Sequence, residues 1–176
     1  MPSIEILCVD ASSAVPVDDL PFPVRVSADR RSHRGPRPRF QADFDAARGV
    51  LYHLGNPGSR PGYVFFAYEL LVHADDAAPA DGDGDDAALA VDEPLVFLPA
   101  FEPAVRTLLK RLLAASPAGQ LLFTCDWQFG PAATVRGGPF TLAEFWAEHA
   151  AGRLAYNAAY VVVAARSTAP GGGDPR

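Results

Sequence analysis

Lysine is almost missing from this chain of 176 residues, where a single Lys110 stands against fourteen arginines. With alanine, proline and glycine abundant, that ratio is the mark of GC-rich coding, so the number of arginines is not by itself evidence of guanidinium chemistry. Cysteine is nearly as scarce. Cys8 and Cys125 each sit alone inside an apolar run, without CxxC spacing or a neighbouring histidine pair, which excludes a zinc ribbon and a disulfide-stapled scaffold. Both are expected to be buried, reduced thiols that behave as small core hydrophobes. No basic stretch followed by an apolar one opens the chain, and no segment approaches the roughly 18 apolar residues of a membrane span. The expected location is the cytoplasm, and a membrane is not an expected partner. Net positive charge is lacking too. At a formal −6, the chain has no general attraction to a phosphate backbone, so nucleic acid is not an expected partner and a basic protein is the easier one.

The motifs of phosphate and cofactor chemistry are also absent. The glycines around positions 55–62 and 137–138 do not form GxGxxG after a strand, and no GxxxxGK[ST] loop or HExxH pair occurs, so no cofactor is expected. No GxSxG elbow precedes a helix, which leaves a serine hydrolase without its nucleophile.

What is present is a hydrophobic fraction of 49% in a chain long enough to bury roughly 70% of the surface its unfolded form exposes. The segment Ser3–Asp10 alternates and then becomes continuously apolar, as expected of a strand near a sheet centre. Val24-Arg25-Val26, after Pro21 and Pro23, fits a short edge strand. Gly49–Leu54 and Tyr63–Val72 are rich in aromatic and branched residues and flank a turn-rich stretch of eight residues, which predicts a hairpin. Phe101, Val105, Leu108, Leu109, Leu112 and Leu113 recur at helical spacing between Phe101 and Ala115, with Pro103 in the first turn. Leu121–Cys125 reads as a second buried strand. Thr141-Leu142-Ala143-Glu144 is a capping box that opens another helix, which Gly152 stops. Tyr156–Ala165 is the last strand.

This order predicts an α+β fold, a mixed or mainly antiparallel sheet of five to six strands with two helices packed on it. It forms one domain over residues 1–166. Within it, Asp75–Glu93 carries eight carboxylates among alanines, glycines and prolines, the composition of a mobile insertion. The tail 167–176, rich in glycine and proline, is expected to be unstructured.

Four constellations come nearest to chemistry. Asp81, Asp83, Asp85 and Asp92 fall on calcium-loop spacing, but Asp86 occupies the position that needs glycine and Asp92 the one that needs glutamate, so no metal is expected. The basic stretch Arg25–Arg39 lacks the interleaved aromatics or the helix of a nucleic-acid site. His149, close to the end of its helix, fits an interaction with the free carbonyls there. A small enzyme would need Asp126, Glu144 and His149 to meet in one cleft, and no spacing rule brings them together.

The segment Thr141-Leu142-Ala143-Glu144-Phe145-Trp146-Ala147-Glu148-His149-Ala150-Ala151-Gly152-Arg153-Leu154-Ala155-Tyr156-Asn157-Ala158-Ala159-Tyr160-Val161 resembles the C-terminal helix and strand of small bacterial immunity proteins that neutralise polymorphic toxins. The resemblance implies a non-enzymatic, cytoplasmic protein that occludes one cognate toxin, often a basic nuclease, through an acidic surface. On this reading the partner is a basic protein. Asp75, Asp76, Asp81, Asp83, Asp85 and Asp86 steer the encounter, and Trp127 supplies contact area.

Overall fold

Strand β1 (Pro2–Val9) buries Ile4, Ile6 and Cys8 on one face and Leu7 and Val9 on the other, which is why its sequence begins by alternating and ends continuously apolar. The computed structural model describes residues 2–27, 49–58, 66–72, 94–127, 134–135 and 137–165, with the backbone alone for Trp127, Thr134 and Val135. β1 lies between β3 (Gly49–Leu54) and β4 (Gln120–Trp127), antiparallel to both. β2 (Val24–Ser27) pairs with the far side of β3, and β7 (Ala158–Val163) with the far side of β4. Two short strands, β5 (Thr134–Val135) and β6 (Phe140–Thr141), run parallel to β7 one after the other along its outer edge. The sheet is therefore mixed and six positions wide, in the order β2-β3-β1-β4-β7 followed by the shared edge.

Both helices of the described residues pack on one face of this sheet. α1 (Glu102–Ala115) turns Val105, Leu108, Leu109 and Leu112 inward, and α2 (Leu142–Ala150) turns Phe145, Trp146 and His149. These side chains join Ile4, Ile6, Tyr52, Phe123 and Tyr160 in one core. At the start of α2 the Thr141 hydroxyl accepts from the Glu144 N–H at 3.3 Å, and the Glu144 carboxylate accepts from the Thr141 N–H at 2.7 Å. The capping box is thus complete. After the helix, Gly152 takes φ +65°, and its N–H donates to the His149 carbonyl.

Polar groups in the core are tied to specific backbone atoms, which fixes how the layers meet. The Cys8 thiol donates to the Leu112 carbonyl in the last turn of α1 at 3.2 Å. The Ser116 hydroxyl lies 2.7 Å from the Val9 carbonyl and accepts from the Gln120 N–H at 3.0 Å. The tyrosine hydroxyls of Tyr52 and Tyr160 accept from the Val15 and Ala155 N–H groups. Each bond meets a backbone group that would otherwise be costly to bury.

Two sequence expectations need correction. The hairpin between Gly49–Leu54 and Tyr63–Val72 does not form: β3 has β1 on one side and β2 on the other, so neither edge is left for a third strand. The described part of the second segment, Phe66–Val72, contains a 3-10 turn at Tyr68–Leu70 and one bridge, Leu71 to Phe97. Its apolar residues reflect burial, as Ala67, Leu70 and Leu71 all lie in the core. The last strand also starts later than Tyr156, because Asn157 takes φ +52°, a left-handed conformation that no strand residue can keep. The stretches 75–93 and 167–176 lie outside the described residues.

Candidate functional site

The three residues of the enzyme reading are not brought together. Phe123 and Cys125 of β4 belong to the core under the helices, whereas Leu122 belongs to a second cluster with Leu7, Val9 and Ala159 on the opposite face. Strand alternation places Asp126 on that opposite face, so the sheet separates it from α2. Glu144 is consumed by the capping box, which also holds its carboxyl below its usual range through the bonds from Thr141. His149 does not reach the helix-end carbonyls as expected. Its ring is buried, and Nε2 accepts the Phe97 N–H at 3.2 Å. Phe97 and Trp146 flank the ring at centroid distances of 5.5 and 5.2 Å.

The cysteines are equally committed to the interior. Burial pushes the Cys125 thiol well above its ordinary value, with the charge of Asp126 adding to the effect, and burial also raises Cys8. Neither thiol is ionised at neutral pH, and the thiolate is the nucleophile. Both should therefore label slowly with a maleimide in the native protein and rapidly after addition of denaturant. Rapid native labelling of Cys125 would show that β4 does not lie beneath α2 as described.

Polar residues that their sequence positions did not single out gather on the second face of the sheet. The register pairs Arg25 with His53, His53 with Glu5, and Glu5 with Thr124, giving one row across β2, β3, β1 and β4. In the next row Ser3 pairs with Asp126. His53 Nδ1 lies 3.3 Å from Glu5 Oε1, and the two side chains are only 6% and 17% exposed. A carboxylate on Nδ1 orients an imidazole in the way that serves many catalytic bases. Cys8 and Cys125 both belong to the core on the other face and supply no nucleophile to this row. Glu5 is the one carboxylate of β1 and His53 the one imidazole of β3, and only the register shows that they meet.

A separate cleft of ≈ 810 Å³ lies across the end of β7, between Gly119 and Gln120 at the start of β4 and Gly137 and Gly138 before β6, with Val161 and Val163 in its lining. Among the described residues, its lining includes no ionisable side chain. Among the described residues, no group of three or more His, Cys, Asp or Glu side chains is placed to hold a metal ion, and no helix is long and apolar enough to cross a membrane. Asp75, Asp76, Asp81, Asp83, Asp85 and Asp86 lie outside the described residues. Trp127 ends β4, where its backbone pairs with Pro2.

The fold is thus an α+β domain with both helices on one sheet face and a polar row on the other. No family model, curated protein or solved structure matches the chain.

Proposed function

We propose that this protein is a non-enzymatic binding module of the immunity type, whose partner is a cognate, basic bacterial toxin. The observation that carries the reading is the engagement of reactive side chains within the fold among the described residues. His149 accepts a backbone N–H, and Cys8 donates to a backbone carbonyl. Glu144 closes a cap, while Glu148 pairs with Arg153 and Asp19 with Arg111. Groups so engaged are poor candidates for moving protons or attacking substrates. A net charge of −6 favours a basic partner, and Asp75, Asp76, Asp81, Asp83, Asp85 and Asp86 supply six carboxylates within twelve residues to steer it. Trp127 is the aromatic anchor of the contact surface in this reading.

The test is association kinetics with the product of a toxin gene adjacent to the protein's own gene. Changing Asp81, Asp83, Asp85 and Asp86 to Asn should slow association at low salt by about one to two powers of ten and flatten its salt dependence. Co-expression of the unaltered protein should restore growth to cells producing the toxin. An adjacent toxin that is bound just as fast by the fourfold variant would remove the acidic stretch from the mechanism. A toxin that is neither bound nor neutralised would remove the function itself.

A further inference from the structure

Pro94–Leu98 is held from two sides by backbone bonds and from a third by one imidazole. The Leu95 N–H donates to the Leu154 carbonyl at 2.7 Å, and Pro94 bridges Ala155. On the other side Val72 and Val96, and Leu98 and Leu70, share bonds of 2.9 Å, and Phe97 bridges Leu71. Towards α2, the tie is the bond from the Phe97 N–H to His149 Nε2.

That bond exists in one protonation state. An imidazole that accepts at Nε2 is neutral and keeps its proton on Nδ1, whereas an imidazolium has only donors. Protonated His149 would set an Nε2–H against the Phe97 N–H in a buried site between two aromatic rings. Among the described residues, the charged groups facing it from α1 are Glu102 and Arg106. The Glu102 carboxylate already pairs with Arg106 at 2.6 Å, and the Arg106 guanidinium lies 4.0 Å over the Trp146 ring. Pro94–Leu98 presents no titratable side chain, and on α2 itself Glu148 is taken by Arg153. The new charge would arise close to both groups, favoured by Glu102 and opposed by Arg106, in a site where burial opposes it most.

We propose that His149 is the bolt of an acid-sensitive clasp: neutral, it holds Pro94–Leu98 against α2, and protonated, it releases that segment while the sheet stays paired. Burial, the largest influence, lowers the His149 pKa from its ordinary 6.5, with Glu102 pulling it up and Arg106 down. A lowered folded value means that the clasp has its full strength above pH 6.5 and loses it as the pH falls from there through the folded value. Each pH unit separating the closed clasp's midpoint from that of a free imidazole corresponds to about a tenfold weaker hold on protonation.

Two measurements on the full chain test this. In the unaltered protein, NMR should show the His149 ring and the Phe97 amide titrating with one shared midpoint below that of free imidazole. Hydrogen-exchange protection of Phe97, corrected for intrinsic pH dependence, should fall as the pH drops from 6.5 through that midpoint, by about tenfold for each unit separating the two, while Ile6 and Phe123 amides hold theirs. In His149→Gln, whose amide oxygen can accept the same bond without titrating, the pH dependence at Phe97 should vanish. Different midpoints for the ring and the amide, or protection lost together at Phe97, Ile6 and Phe123, would overturn the clasp. So would an unchanged acid response in the glutamine variant.

Discussion

Phe123→Ala should lower the free energy of unfolding by about 3–5 kcal/mol, the usual cost of emptying a large aromatic site in a core. Phe123 is fully buried on β4, in register with Ile6 of β1 on one side and Tyr160 of β7 on the other. Its ring meets Phe145 edge-on at 5.2 Å and Phe97 at 6.4 Å, so it joins α2 and the Pro94–Leu98 segment to the sheet centre. No neighbour can collapse into the void without abandoning one of those contacts. A domain of this kind has about 5–15 kcal/mol in total, so the variant should unfold at a much lower urea concentration, with the slope of the transition preserved. A loss below about 1.5 kcal/mol, nearer the cost of one methylene group than of a whole ring, would place Phe123 outside the core.

Gly49→Ala should be comparably damaging for a different reason. Gly49 stands opposite Val9 at the start of β3, where the chain passes so close to β1 that an added Cβ would overlap the Cys8 carbonyl oxygen. The same Cβ would lie 3.0 Å from the Cys8 carbonyl carbon and 3.3 Å from the Asp10 nitrogen. All of these are backbone atoms, which cannot rotate aside as a side chain would. Relief requires β3 to move off β1, at a cost at or above the about 1–3 kcal/mol typical of overpacking. Gly58→Ala is the control. Gly58 has φ +78° and open space around it, so alanine there meets only the left-handed penalty of about 1–2 kcal/mol. Equal thermal stability of the two variants would show that β3 does not approach β1 so closely.

Elements set by local chemistry were legible in the sequence. Helix α1 showed in the spacing of Val105, Leu108, Leu109 and Leu112, since those positions fall on one stripe of any helix. The start of α2 was plain because a capping box needs only four consecutive residues. The central place of β1 showed in its run of apolar residues, which suits only a strand covered on both faces. The edge position of β2 followed from the prolines before it.

The missed pairings share one cause, which is that the partners lie far apart in the chain. Gly49–Leu54 and Tyr63–Val72 looked like a hairpin because they are neighbours in sequence. β3 instead pairs with β1, and nothing local to either strand encodes that choice. The same distance hid the Glu5 and His53 pair, separated by 48 positions and joined only through the β1–β3 register. For Asp126, Glu144 and His149 the missing information was which face of the sheet each would occupy. β5 and β6 were invisible because two residues carry no periodicity; β7 defines them by accepting them along its edge.

The sequence by itself determined the α+β class, both helices, the buried thiols and the two strands at the sheet centre, because periodicity, capping and hydrophobic burial act over a few residues. Only the tertiary structure decided the strand order, the separation of Asp126 from His149 by the sheet, and the meeting of His149 with Phe97. Those depend on contacts that form after distant segments have been brought together, where register and packing set the geometry and no short run of residues can specify it.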